Sequence, residues 1–281
     1  MTAPGTVTEV VLSLFPGIGL LDRGFEDAGF CVVRGPDLWW GGDVRKFAAP
    51  AGHFTGIIGG PPCQRFSLAN RARNIVPTEQ DMELINQYLR IVTAARPDWW
   101  LMENVAGSPA VTELEGYVIQ RFTLNANQCG SEQHRLRKFH FGHRPGSPQL
   151  AIQRMARPGR SQPTCMASEG RRSGRREFSE FCRLQGLPAG FDLPGFTNQA
   201  KFTAVGNGVP YEMSLTLATA IRNRDRGVTP HRFCECGCGE FVSGKARLAG
   251  VACRKRMQRL RDAAASQNSG PVTVNAELHF Q

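Results

Sequence analysis

No stretch of this chain approaches the ~18 consecutive apolar residues of a membrane-spanning helix, so no membrane partner is expected. The opening Met-Thr-Ala-Pro-Gly-Thr lacks the basic and apolar regions of a secretory signal. The nine cysteines are odd in number and scattered, which argues against a secreted disulfide framework and fits a reducing cytoplasm. No internal repeat is visible. Acids are scarce in two places. Residues 151–176 hold one acid, Glu169, against seven arginines, and residues 222–262 hold four acids against eleven Lys and Arg. These two segments carry more than the whole net charge of +10, and the rest of the chain is slightly acidic. Clustering of that kind points to a polyanionic partner, nucleic acid, rather than to a generally soluble basic surface.

What is present is a chain of 281 residues with a globular balance, 41% apolar and 21% charged, enough for one catalytic domain and small additions. Val10–Leu14 reads as a short strand running into Phe15-Pro16-Gly17-Ile18-Gly19, and Leu20, Leu21, Gly24, Phe25 and Ala28 follow at helical spacing. Strand, glycine turn and helix open a nucleotide-type α/β unit. Cys31–Val33 reads as a second strand. Thr78 and Asp81 form a capping-box signature ahead of Ile85, Tyr88, Leu89 and Val92, which predicts an amphipathic helix over 81–95, ended by Pro97. Tyr117–Leu124 and Lys138–Phe141 read as later strands, Phe178, Phe181 and Leu184 as a helix ending at Gly186, and a last helix runs to about Ile221. The alternation implies a mostly parallel sheet with its chemistry at the carboxyl edge.

Three stretches carry that chemistry. Gly59-Gly-Pro-Pro-Cys63-Gln-Arg-Phe-Ser67 places one thiol behind a rigid Pro-Pro pair, after the apolar run Gly56-Ile57-Ile58. Arg65, Arg71 and Arg73 in the same stretch favour the thiolate and can meet a polyanion. Glu103-Asn104-Val105 follows Trp99-Trp100-Leu101-Met102, and Gln133-His134-Arg135-Leu136-Arg137 follows later, with Arg135 and Arg137 on one face of a strand because i and i+2 align.

In this order the three stretches resemble the signatures of the cytosine-C5 DNA methyltransferases. Gly42-Asp43-Val44-Arg45, Arg183-Leu184-Gln185-Gly186-Leu187-Pro188 and Gln199 with Gly206-Asn207-Gly208-Val209-Pro210 extend the resemblance over roughly residues 9–222. It implies a Rossmann-like α/β sheet and a DNA cytosine-C5 methyltransferase that uses S-adenosylmethionine and acts on a flipped-out base. In that reading Cys63 adds to cytosine C6, Glu103 holds or protonates N3, Arg137 contacts O2 and Arg135 supports the site. The cofactor would lie against Phe15, Gly17, Gly19, Asp37, Asp43, Pro61 and Asn207. Gln64, Ser67, Arg71, Gln133, Arg171 and Arg172 would face substrate DNA, with the enzyme a monomer on DNA in the cytoplasm of a bacterium or a phage-infected host. A restriction partner is not identified.

The chain departs from the family at three points. Gly19-Leu20 stands where two glycines are usual. The acid expected after the second strand is displaced to Asp37. Only about 28 residues, 144–171, occupy the target-recognition region. The expected organisation is a catalytic domain over 1–143, a reduced recognition region over 144–197, a returning segment over 198–225, a Cys-rich basic module over 231–262 and a tail over 263–281. In the module Cys234, Cys236, Cys238 and Cys253 precede a basic helical stretch, resembling a zinc-ribbon-like tail with structural zinc. His231 can replace one ligand, and free thiols in a basic tail are the alternative. An RNA (tRNA) cytosine-C5 methyltransferase and a non-catalytic DNA-binding protein on the same scaffold remain the alternative functions.

Overall fold

The computed structural model describes residues 9–62, 78–154, 161–224, 232–233, 241–242, 246–248 and 250–268. Cys63, Gln64, Ser67, Arg71, His231, Cys234, Cys236 and Cys238 lie outside them. The chain divides into two units, residues 1–231 and 232–281.

The first unit is built on short apolar strands joined by helices. In chain order it contains β1 (Val10–Leu14), α1 (Leu20–Asp27), β2 (Cys31–Arg34), β3 (Gly56–Gly59), α2 (Glu79–Ala95), β4 (Trp99–Val105), β5 (Val118–Asn125), β6 (Leu136–His143), α3 (Phe178–Leu184), α4 (Asn198–Asn207) and α5 (Tyr211–Asn223). One six-stranded sheet runs in the order β2-β1-β3-β4-β6-β5. Its first four strands are parallel, and β6 and β5 are antiparallel. The central strands have no solvent-facing side. Ile57, Ile58, Trp99, Trp100, Leu101 and Met102 are all 0% exposed, so they read as continuous apolar runs rather than alternating ones.

Successive residues on these strands point to opposite layers. Leu12, Leu14, Ile57, Trp100 and Met102 pack with Ile85, Tyr88, Ile91, Val92 and Ala95 of α2. Tyr88 holds the strands from that layer, its hydroxyl donating to the Ile57 carbonyl (3.1 Å) and the Leu101 carbonyl (3.0 Å). Trp99 faces the other layer and meets Phe25 and Phe30. There α1 packs closely on α5, and a Cβ on Gly24 would come within 2.4 Å of the Leu215 amide nitrogen. The strands also need glycine: a Cβ at Gly56 would meet the Trp99 ring at 2.2 Å, and one at Gly142 the Trp100 indole at 2.1 Å.

Several boundaries differ from the sequence reading: β6 extends to Leu136–His143, α2 starts at Glu79 and β2 reaches Arg34. β4 does not end with its apolar run but continues through Glu103, Asn104 and Val105, because β6 pairs with it along its whole length. The Gly206-Asn207 segment, which carries no helical apolar pattern, forms the end of α4, started by the Thr197 side chain accepting from the Ala200 N–H. A smaller apolar cluster of Cys165, Phe181, Cys182, Leu184, Phe202 and Val205 joins α3, α4 and the segment around residue 165.

The second unit contains a two-stranded antiparallel pair, β7 (Arg232–Phe233) with β8 (Phe241–Val242), and the helix α6 (Val251–Asn268). Val242, Leu248, Cys253 and Met257 pack together within it.

Candidate active site

Glu103 and Arg137 sit diagonally across the β4–β6 pair. Glu103 is in register with Phe139 and Arg137 with Val105, so both side chains leave the same face. Arg137 Nε lies 2.8 Å from Glu103 Oε1, and both side chains are nearly buried. Burial raises the Glu103 carboxyl above its ordinary range, while the charges of Arg137 and Arg135 pull against that rise. Burial lowers Arg137 in turn, and the Glu103 carboxylate opposes this. The result is a carboxyl group out of water whose protonation depends on two neighbouring guanidinium groups.

The loop leading to Cys63 passes directly beside this carboxyl. A Cβ on Gly60 would stand 2.8 Å from Glu103 Oε2, so the bare backbone of Gly60 is what lets the carboxyl group rest there. Asn104 fastens the next residue, its Nδ2 donating to the Pro61 carbonyl at 3.2 Å while its Oδ1 accepts from the Val105 N–H. Pro61 is thereby buried and Pro62 exposed. The Glu-Asn pair thus supplies both an acid and a tether for the cysteine loop.

Arg135 lies two residues before Arg137 and is 1% exposed. It meets carbonyls rather than a carboxylate, donating from Nη1 to Cys165 O (2.7 Å) and from Nη2 to Gly206 O (2.8 Å) and Gly208 O (2.9 Å). Burial and the neighbouring Arg137 bring its pKa down to about 9, which leaves it cationic at neutral pH. Gln133, expected at the DNA surface, is instead 0% exposed and engaged on every side. Its Nε2 donates to Leu184 O and Gln185 Oε1, and its Oε1 accepts from the Cys165 N–H. Gln185 continues the chain of bonds to Val205 O and Gly208 O. Gln133 therefore braces the site from inside, because a buried amide must satisfy its donors and acceptor within the protein. Asn207 itself is exposed, and the connection from α4 to Arg135 runs through the carbonyls on either side of it.

At the carboxyl end of β1 the backbone turns sharply. Phe15 (φ 56°), Gly17 (φ 55°) and Gly19 (φ 80°) are left-handed. For Phe15 that conformation is strained, costing about 1–3 kcal/mol, as is common beside bound ligands. A Cβ on Gly17 would meet nothing within 4 Å, so the turn borders open space. Gly19 begins α1 without a side-chain cap, which leaves first-turn N–H groups for a ligand or water. Asp37 closes the turn: its Oδ2 accepts from Gly17 N–H and its Oδ1 from Trp39 N–H, both at 2.8 Å. Each carboxylate oxygen retains a further lone pair. Trp40 donates from Nε1 to Gly17 O at 2.8 Å, a tie the sequence gives no pattern for. Asp43 starts a short turn by accepting from the Arg45 N–H, and Arg45 bridges it to Glu83. Arg34 turns back onto α1 and pairs with Asp22, which also accepts from the Ser13 hydroxyl.

Arg171 and Arg172 are exposed. Arg172 borders an open concavity of about 430 Å³, together with Arg175, Arg176 and Glu169. Arg176 is fixed there by an ion pair to Glu169 at 2.9 Å.

This sheet, with a glycine turn after its first strand and an acid on its fourth, is a Rossmann-like methyltransferase fold. The same fold occurs in the methyltransferase EhMeth of Entamoeba histolytica (TM-score 0.60, 12% identity, 79% of this chain and 100% of that one). It occurs also in a putative prophage-encoded DNA modification methyltransferase of Escherichia coli (TM-score 0.57, 18% identity, 78% and 100%). Residues 41–164 match the family model of the C-5 cytosine-specific DNA methylases. Among curated relatives, type II methyltransferase M.NgoPII of Neisseria gonorrhoeae is 34% identical over 164 residues, 48% of each protein. M.HgiDI of Herpetosiphon aurantiacus is 32% identical over 165 residues, 48% of this chain and 52% of its own. The chain thus spans about half the length of the curated relatives it matches.

Proposed function

We propose that the protein is a DNA cytosine-C5 methyltransferase. The observation that carries this reading is the buried Glu103–Arg137 pair beside Gly60, at the entry to the cysteine loop. Cytosine C5 is a poor nucleophile. Addition of a thiolate to C6 turns the C4–C5 side of the ring into an enamine, and this is the role assigned to Cys63. Glu103 faces N3 of the ring, where a proton drains electron density from C6 and eases that addition. A carboxyl raised by burial is suited to holding the proton. Arg137 keeps Glu103 in place and offers its remaining donors to O2. After C5 has taken up the methyl group, a water molecule acting as base would accept the C5 proton, the C–H electron pair would form the C5–C6 double bond, and the C6–sulfur bond would break to return the thiolate. A cytosine exposes N3, C5 and C6 together only outside the duplex stack, so the target base must be extruded.

The turn at Phe15–Gly19 fits an adenosyl cofactor: open space at Gly17, uncapped N–H groups at the start of α1, spare acceptor capacity on Asp37 and an aromatic face at Phe15. S-adenosylmethionine, when bound, supplies an electrophilic methyl group. Phe15, Gly17, Gly19, Asp37, Asp43 and Pro61 would hold it, and Arg171 and Arg172 would meet phosphates. The test is nucleoside mass spectrometry of duplex DNA incubated with the protein and S-adenosylmethionine. A 5-methylcytosine peak that disappears in Cys63→Ser and Glu103→Gln is the expected result. No peak on DNA, with or without the variants, overturns the reading.

A structural zinc on Cys234, Cys236, Cys238 and Cys253 belongs to the same proposal. Among the described residues no group of three potential ligands is placed to hold a metal. Cys253 is in the first turn of α6, packed with Val242, Leu248 and Met257. One zinc per chain by elemental analysis, lost in Cys253→Ser, is expected.

A further inference from the structure

The second unit carries a charge pattern that the catalytic reading does not use. Between Phe241 and Asn268 there are seven Lys and Arg and a single acid, Asp262. α6 packs through Cys253 and Met257, which are i and i+4 and lie on one face. At about 100° per residue, Lys255 and Arg259 fall on the opposite face, and Arg254 and Arg256 fall about 80° to either side of the packed one. All four are exposed. The helix turns its apolar edge inward and a basic arc outward.

Two features show that this arc is not there to stabilise the helix. Arg254 and Lys255 stand in or beside the first turn, where the helix dipole repels cations, and that turn has no acid. Arg254, Lys255 and Arg256 are consecutive, so their charges repel each other with no i+4 acid in register to relieve them. An extended polyanion along the helix removes both penalties. From Arg254 to Arg259 the helix rises about 7–8 Å, and duplex DNA carries a charge every ~1.7 Å of its axis when both strands are counted, so about four phosphates of the two strands lie within that span.

From this we infer that α6 is a second DNA-binding element, which holds the phosphate backbone of duplex DNA through Arg254, Lys255, Arg256 and Arg259 without reading bases. The inference rests on the proposed action on DNA. It assigns to the second unit the task of keeping the protein on the duplex while the first unit works. Because both units share one chain, a backbone grip by one raises the effective concentration of DNA at the other.

The test uses the full chain with Arg254, Lys255, Arg256 and Arg259 all changed to Ala. Alanine is the best helix former, so circular dichroism should show α6 intact. Affinity for a labelled 40-base-pair duplex is measured from ~50 to ~300 mM salt. Each lost phosphate contact removes about 0.9 from the slope of log K against log salt, so the slope should fall by about 3–4 and affinity near 150 mM by tenfold or more. A Lys replacement of the three arginines should keep the slope, since a phosphate contact needs the charge and not the fork. In the methylation assay the Ala variant should raise KM for DNA and keep kcat. An unchanged slope overturns the inference. So does a loss confined to single-stranded RNA or to vesicles of anionic lipid, which would give the arc another partner. If the unaltered protein methylates no DNA and the slope still falls, the backbone grip stands and the proposed reaction is what fails.

Discussion

Arg137 Nε rests 2.8 Å from Glu103 Oε1, with both side chains nearly out of water. Two opposite shifts meet in this pair. Burial pushes the carboxyl up and the guanidinium down, and each partner restrains the other. The pair makes the protonation of Glu103 adjustable by what binds next to it, because any group that draws Arg137 away removes the charge holding the carboxyl down.

Removing the restraint should therefore be visible in a pH profile. Arg137→Ala leaves burial as the dominant influence on Glu103, so its pKa must rise further. The apparent pKa assigned to Glu103 in a plot of log kcat/KM against pH is expected to move upward, with kcat about 10²–10⁴-fold lower, the usual range for a displaced acid–base group. Glu103→Gln should lose activity to a similar extent and abolish that pKa. A kinetic pKa that persists in Glu103→Gln belongs to another residue.

Gly60 gives a sharper separation of activity from stability. Its φ is not left-handed, so alanine is tolerated by the backbone. The new methyl group would lie 2.8 Å from Glu103 Oε2, the end of a side chain that can swing aside. Gly60→Ala is expected to shift Tm by only a few degrees while lowering kcat at least tenfold, since a displacement of about 1 Å at a reacting group costs on the order of 10²-fold. Thermal melts alongside single-turnover methylation check this. Equal loss of both would mean that the glycine serves folding alone.

The parts of this site that follow each other in sequence were legible there. The strand, glycine turn and helix at Val10–Asp27, the amphipathic pattern of α2 and the Glu-Asn-Val stretch all stand on local patterns of spacing. The run of β4 past Met102 was not legible, because pairing with β6 extends it and no apolar residue marks it. The position of Gln133 was also out of reach. Its bonds run to Leu184 and Gln185, about fifty residues on, and Arg135 reaches the carbonyls of Cys165, Gly206 and Gly208. A backbone carbonyl is present at every residue, so nothing in the amino-acid types reveals which ones a buried side chain will select. The Trp40 tie to Gly17 is hidden for the same reason.

That hidden clamp has a measurable consequence for stability. Arg135 donates to three carbonyls, and it shares one of them, Gly208 O, with Gln185. Arg135→Met keeps much of the apolar stem but takes its donor from the Cys165 and Gly206 carbonyls, while Gly208 O keeps its bond from Gln185, at roughly 1–3 kcal/mol for each buried acceptor left unpaired, moderated by relaxation. The expected loss is about 2 kcal/mol or more in urea unfolding of the full chain. Arg137→Met, which lacks such a carbonyl set and leaves one carboxyl free to protonate, should cost less. The reverse order would remove Arg135 from its assigned role as the brace between β6, α4 and the segment at Cys165.

His140 governs how the sheet responds to acid. Its ring is 0% exposed, Nε2 accepts from the Val111 N–H at 3.2 Å, and burial with nearby Lys138 and Arg121 holds its pKa down to about 4. The unfolded chain has an ordinary histidine near 6.5. Between those two values the unfolded state binds more protons than the folded state, so stability must rise with pH across that window. The contribution is fully present above about pH 6.5 and is lost as pH falls to about 4. On the order of a few kcal/mol is at stake, spread over that interval. His140→Gln, which keeps an acceptor for the Val111 N–H and cannot take up the proton, should flatten this part of the curve. Urea unfolding midpoints at pH 7.5, 6, 5 and 4 test it. The two proteins should differ most in slope between pH 6 and 4, and parallel curves would show that another group carries the acid sensitivity.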